Sequence, residues 1–527
     1  MHTTPLNCES VPVVNVAAQE SSKTPNAPTD RSSRFFKSDH LKRDLQGRTH
    51  RSGAITVASQ GFLFALNMGT TMVLARQLVP EDFGLIAMVQ VVTGFLQVFR
   101  DGGLSMATIQ QPEITHEQVS VLFWLNLGLS GLLALVAIAI APAVAWIYSE
   151  PRLTMITATM GLSYLISGSV VQHRALMARQ MQFGRLAMIA TCATITGSAT
   201  AIVMAWSTRS YWALVAIPIV TASTELILIW YCCRWMPSRP RRGTGANVMV
   251  RFGGNYMAAQ AINYVSRSSD NFIIGITSGS SVLGVYAKAY GLLLLPLRQF
   301  LVPISSVTVP ALSRLTNDPT AFRKFFLRQG AFVVTTAGMV VFYCAAAAPE
   351  LVCIVLGDQW SEAVPIFWCL APGAFLSTTN ICGTWVCATH GLASRQRNVA
   401  LFAAPTYLIA FLIGSHWGGI GVAAGYSIAC GLIRHPVFTY CLRDLPILAK
   451  DIWGLTVRPM IFGTLFLLAS GAVAVWLPSD VFLLLAVKSA MFLATLAMMV
   501  QIGWLPGWHG LLLSFRVVQP NRISEPA

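Results

Sequence analysis

Charge is what this sequence has little of. Only 11% of its 527 residues are Asp, Glu, Lys or Arg, against about 25% in a soluble domain. Acids are scarcer still, 21 against 36 bases, and the first five apolar segments are nearly free of them. Cysteine offers no framework. Apart from the adjacent Cys232 and Cys233, the nearest pair is Cys382 and Cys387, neither a zinc nor a redox spacing, so the thiols read as small buried side chains. No P-loop is present, which excludes ATP hydrolysis by the chain itself, and the nine His have no metal spacing. No Ser, His and Asp set can be placed in one site, so neither an enzyme nor a cofactor is implied. The first fifty residues lack the apolar run of a signal peptide, so the first span is expected to act as the membrane signal.

What the sequence does have is apolar length. Segments of near 20 residues or more, enough for about 30 Å of hydrocarbon, fall at 53–75, 83–99, 119–147, 153–172, 186–206, 211–233, 248–276, 281–310, 329–348, 363–388, 399–415, 418–440, 457–477 and 481–503. The expectation is an all-α polytopic membrane protein of about fourteen transmembrane helices, with the pair 399–440 joined by a very short loop. GGIGVAAGY (418–426) looks like a dinucleotide loop, but no βαβ unit surrounds it, so it reads as small-residue helix packing.

The net charge of +15 would point a soluble protein to nucleic acid; here it reports orientation. With the N-terminus in the cytoplasm, 27 of the 36 Lys and Arg lie in inside segments, and the outside loops hold only Arg76, Arg152 and Arg209. That is the positive-inside bias, and it places both termini in the cytoplasm. Residues 1–52 read as a disordered cytoplasmic tail, and 504–527 as a second.

An internal repeat runs at an offset of 200. Gly53, Gln60 and Gly84 match Gly253, Gln260 and Gly284, and FGLIAMVQ (83–90) matches LGVYAKAY (283–290). Later, YCCRWMP (231–237) matches YCLRDLP (440–446). The chain therefore divides into a six-helix lobe at 53–233, a linker at 234–247, a second six-helix lobe at 248–441, and two C-terminal helices within 457–503. Each lobe holds an even number of spans, so the copies keep one orientation and their axis runs along the membrane normal, and transporters of this design hold substrate between the repeats.

The unusual stretch is 251–298, two largely apolar segments that hold Arg251, Arg267, Asp270, Lys288 and Arg298. A charge at mid-membrane costs about 2.5–3.5 kcal/mol on the lenient scale, so such residues face a bundle interior or a wet cavity. At about 100° per residue, Tyr256, Gln260, Asn263, Arg267, Asp270 and Asn271 share one face. In the first segment the matching stripe is Thr56, Gln60, Asn67, Thr70 and Thr71. Arg267 and Asp270, three apart, are placed to neutralise each other, yet four cations to one acid leave a surplus, and surplus Arg and Lys suit phosphate. The cations form a ladder across the membrane, in which Arg251 either lines the passage or snorkels to the inner interface. Glu225 and Arg434, at nearby repeat positions, face either the cavity or the partner lobe. Glu225 and Asp270 are the buried acids fit to bind a coupling ion. His173, His390, His416 and His435 sit at span ends, where an interfacial setting is expected.

The residues LARQLVPEDFGLIAM (74–88) and SRSSDNFIIGITSGSSVLGVYAKAYGLLLLPLRQFLVPISSVTVPALSRL (266–315), on this frame, resemble the Wzx-type polysaccharide flippases of the multidrug/oligosaccharidyl-lipid/polysaccharide (MOP) superfamily, nearest its exopolysaccharide branch. The resemblance covers about 53–503. It implies a MOP-type fold and transfer of an undecaprenyl-diphosphate-linked oligosaccharide across the bacterial inner membrane, with membrane lipid around it and a polysaccharide polymerase or export machinery as a partner. It also implies a cationic lumen, matched here by Arg267, Lys288 and Arg298, and ion-driven antiport. Three other readings compete. A multidrug exporter would need first-lobe carboxylates, and a peptidoglycan-precursor flippase would be essential for growth. A membrane glycosyltransferase would carry large outside loops, whereas the longest here is around 349–362.

Overall fold

Caps, glycines and bends cut the apolar runs into helices, in a computed structural model that describes residues 45–100, 105, 108–109, 114–240, 247–443, 445–476 and 480–501. In chain order the helices are α1 (Leu45–Gln77), α2 (Pro80–Arg100), α3 (His116–Tyr148), α4 (Arg152–Gly168), α5 (Val171–Arg179), α6 (Phe183–Thr208), α7 (Trp212–Cys233) and α8 (Asn247–Ser313). They continue as α9 (Pro319–Ala346), α10 (Ala348–Val355), α11 (Ala363–Thr378), α12 (Asn380–Thr389), α13 (Ala393–Gly414), α14 (Gly418–Cys441), α15 (Ala449–Trp476) and α16 (Val481–Gln501). Among the described residues there is no strand.

Each of the fourteen apolar segments coincides with one helix, with a helix pair (α4–α5, α11–α12), or with one arm of α8. Among the described residues ten helices are long and apolar enough to cross a membrane when α8, α11–α12 and α13–α14 each count once, and the α4–α5 pair, bent by 40°, raises this to eleven. The chain is a multi-pass membrane protein, and α1, together with the division of α8 and of α13–α14, is consistent with fourteen crossings. α1 starts at Leu45, eight residues inside the stretch assigned to the tail; residues 1–44 and 502–527 lie outside the described residues.

Local chemistry explains the breaks. Thr115 opens α3 with a capping box, its hydroxyl accepting from the Gln118 N–H while the Gln118 side chain accepts from its own N–H. Asp318 caps α9 through the N–H groups of Thr320 and Ala321, with Pro319 in the first turn. Gly279, at φ 82 and ψ −178, takes a conformation only glycine adopts readily, and it folds α8 into two arms, 247–278 and 280–313. The 399–440 pair folds as a close hairpin: a Cβ on Gly414 would lie against the Gly421 carbonyl oxygen, so the GGIGVAAGY stretch is helix packing.

Two interfaces organise the bundle. α2 lies along α8 in the most extensive helix pairing of the chain. It crosses the second arm where a Cβ on Gly84 would meet the Ser280 carbonyl oxygen at 1.7 Å, and one on Gly284 would meet that of Pro80 at 1.9 Å. The last two helices sit on the second half, α15 against α9 and α16 against α10. α16 is held by a fully buried ion pair, Lys488 Nζ to Glu350 Oε1 at 2.6 Å, with the same Nζ donating to Ala346 O.

The connector after α7 is not loose at its start. Trp235 is buried and donates to His116 Nδ1 at 3.1 Å. His173 Nε2 lies 3.0 Å from Trp235 O, and its ring stacks on Trp230 at 4.6 Å. His173 is therefore enclosed in an aromatic box rather than interfacial, because the folded-back connector covers it.

Candidate functional site

A cavity of about 1040 Å³ lies between the two halves. Its first-half wall comes from α1, α2, α4, α6 and α7, and its second-half wall from α8, with Val355 at the end of α10 and Leu356 just beyond it. The periodic stripe of α1 reaches it: Gln60, Asn67 and Thr71 all line it, as do Gln90 and Gln97 of α2. On the α8 side the lining includes Tyr264, Lys288 and Gln299.

Lys288 is nine residues beyond the Gly279 turn, about 13 Å along the second arm at 1.5 Å per residue. Its Nζ sits 4.1 Å from the centroid of the Phe83 ring, so the face of an aromatic ring on α2 receives a cation from α8 across the interface. The second cation in the lining is Arg100, at the far end of α2, about 30 Å from Pro80 on the same rise. Among the described residues Glu225 is the one acid in the lining, and its carboxylate is paired with Arg174 of α5. Two bases thus stand in the described lining against one acid, which is itself paired.

The other sequence candidates are dispersed. Arg267 is exposed and Gln260 is exposed; neither lines this cavity. Asp270 is buried and does not close on Arg267. Its Oδ2 accepts from the Tyr286 hydroxyl at 2.9 Å, and its Oδ1 from the Asn271 N–H at 2.7 Å, so the two arms of α8 satisfy it. Arg434 is fully buried in the second half, away from the cavity lining, donating to Leu376 O, Thr379 Oγ1 and Thr456 Oγ1 between the rings of Phe438 and Trp453. The side chains of Arg251, Asn263 and Arg298 lie outside the described residues.

Sequence reasoning missed Arg100 and Arg174. Both were counted as loop charges reporting orientation, and the one available signal was that Arg100 ends a polar row of α2, Gln90, Gln97 and Arg100, spaced by seven and three.

At the Gly279 end the cavity is sealed. The last turn of α1 exposes carbonyls that the other half caps: Trp360 Nε1 donates to Ala75 O at 2.9 Å, and Gln359 Nε2 donates to Ala75 O and Leu78 O. In return Arg76 donates to Ile354 O at 2.8 Å, and Phe83 packs edge-on to Trp360. These groups answer the need of a helix C-terminus for partners, and they do so across the interface between halves.

Fold and cavity together define a transporter-type architecture. The solved structure of the lipid II flippase MurJ in an inward closed conformation is similar over 86% of this chain and 99% of its own, with TM-score 0.65 and 12% identity. An inward-facing multidrug resistance MATE family transporter of the MOP superfamily is similar over 72% of this chain and 96% of its own, with TM-score 0.54 and 13% identity. The chain belongs to the polysaccharide biosynthesis protein family, whose profile matches residues 73–365. Among characterised sequences it is 24% identical to the lipopolysaccharide biosynthesis protein WzxC of Escherichia coli (strain K12), over 74% of this chain and 79% of that one.

Proposed function

We propose that this protein moves polyprenyl-diphosphate-linked oligosaccharide units from the inner to the outer leaflet of the bacterial cytoplasmic membrane, as a transporter rather than an enzyme. The observation that carries this reading is the cavity itself: it lies between the halves, is walled by amides and hydroxyls suited to sugar, and is lined by Lys288 and Arg100 against one paired acid. Anionic headgroup and hydroxylated glycan match such a lining, whereas a cationic drug does not. Family membership and the likeness to WzxC support the glycan, and the MurJ likeness supports the fold.

The charge bias supports a cytoplasmic Arg100 end and an outer Gly279 end, and on that reading the cavity receives cargo from within. The two halves act as the rocking lobes of an alternating-access cycle. Arg267, Arg298 and Arg251 form the rest of a cationic route on α8, with Gln260 and Asn263 in support, while Arg434, held by protein acceptors in the second half, serves the fold. Asp270 or Glu225 takes the coupling ion. The product is the lipid-linked unit presented to a polymerase outside.

The test is export in cells carrying Lys288→Ala, Arg267→Ala or Arg298→Ala. Each variant should reach the membrane at the normal level, lose surface polysaccharide and accumulate the lipid-linked unit. Normal export in all three would reject the cationic route.

A further inference from the structure

Beside the main cavity is a second one, of about 330 Å³. It opens at the bend between α4 and α5 and shares Arg100, Ser167 and Glu225 with the main cavity. Its own additions are Arg174 of α5, Ser105, and an apolar floor that includes Leu186. Two guanidiniums and one carboxylate thus meet in an annexe of the first half.

The position of Arg174 is built. The two residues before it are fully buried: Gln172 Oε1 accepts from Thr108 Oγ1 at 2.9 Å, and His173 Nε2 engages Trp235 O at 3.0 Å. With 172 and 173 locked inward, Arg174 is the one charged residue that α5 turns toward the annexe, beside Val171, Ala175 and Ala178. Its partner there is Glu225, and this pair differs in kind from Lys488–Glu350. The latter is 4% and 5% exposed, and separating it would leave a charge in a dry site. Arg174 is 51% exposed and Glu225 18%. A half-solvated pair is held weakly, so a better oxyanion can replace Glu225 on the guanidinium fork, which is shaped to hold two oxygens at once.

We infer that the annexe is an oxyanion subsite for the cargo, in which Arg174, backed by Arg100, exchanges Glu225 for an anionic group of the lipid-linked unit. The inference rests on the transport reading above and adds a place where the cargo is recognised. The oxyanion is either a carboxylate on the glycan or the diphosphate of the carrier, and the two are separable by experiment.

The experiment measures the affinity of the purified full-length protein for two lipids, undecaprenyl diphosphate bearing a neutral disaccharide and the same carrier bearing a uronic-acid disaccharide. Arg174→Ala should weaken binding about tenfold or more, the scale of a lost charge-assisted hydrogen bond, and Glu225→Gln should tighten it about two- to fivefold by releasing the fork. Loss confined to the uronate lipid identifies the glycan carboxylate, and equal loss on both identifies the diphosphate; either supports the subsite. If both variants leave the affinity within about twofold of wild type, or both weaken it alike as damage to the fold would, the subsite is wrong. If the wild-type protein binds neither lipid, the transport reading itself fails and the subsite falls with it.

Discussion

Gly84 and Gly284 stand 200 residues apart in the chain and face each other in the structure, each missing side chain filled by the backbone four residues before the other. Gly84 abuts Ser280 and Gly284 abuts Pro80. A two-fold axis through the crossing would impose this reciprocity, and the offset is that of the repeat read from the sequence. The contact closes α2 on α8 at the sealed end, with no room for a single carbon.

Gly84→Val is therefore expected to push α2 and the second arm of α8 apart at that end. Interiors tolerate little added volume, so export should fall to a small fraction of wild type. A cysteine placed at the lining position Thr71 should at the same time become reactive to an impermeant thiol reagent added from outside. Normal export, or an unreactive cysteine, would show that the seal does not depend on this crossing.

Trp360→Phe keeps the ring against Phe83 and removes only the donor to Ala75 O. Loss of one hydrogen bond is worth about 1 kcal/mol, so the variant should fold normally and spend more time open at the Gly279 end, read by the same thiol reagent. Adding Gln359→Ala should increase the labelling further, since both side chains cap the same turn.

Lys488→Met leaves Glu350 buried without its cation, at an expected cost of about 3–5 kcal/mol. The double variant Lys488→Met, Glu350→Leu removes both charges and should recover most of that loss. Thermal unfolding of purified protein checks this, and a double variant as unstable as the single would mean that packing rather than charge is responsible.

Arg434→Met takes five donors out of a site that holds the Leu376 carbonyl and two threonine hydroxyls. Stability should fall by about 3 kcal/mol, with export reduced only in proportion to the protein that reaches the membrane. Normal membrane levels with no export would instead assign Arg434 to the cargo route.

Much of the fold was legible because lipid imposes one rule: every backbone polar group must be satisfied within its own helix, so apolar length translates directly into helices. The α1 stripe was legible for the same reason, since Gln60, Asn67 and Thr71 have nowhere in lipid to point. The site was less so. Arg267 and Asp270 share a helix face, but Asp270 takes its hydrogen bond from Tyr286 on the returning arm, a partner that depends on how α8 folds at Gly279 rather than on spacing. Arg100 and Arg174 look in sequence like any basic residues at the ends of spans, and only the α4–α5 bend brings them to one pocket with Glu225. Similarly, nothing in the order of residues shows that Gly84 lies against the backbone of Ser280.

The short helix α10 has three attachments. Glu350 at one end holds Lys488 of α16, Ile354 at the other receives Arg76 of α1, and Val355 roofs the cavity. The outermost helix of the chain and the lid of the chamber are thus two ends of the same rod. When the lid lifts, either α1 lets go of it or α16 travels with it, so the margin of the protein that meets the lipid is mechanically joined to the door at its centre.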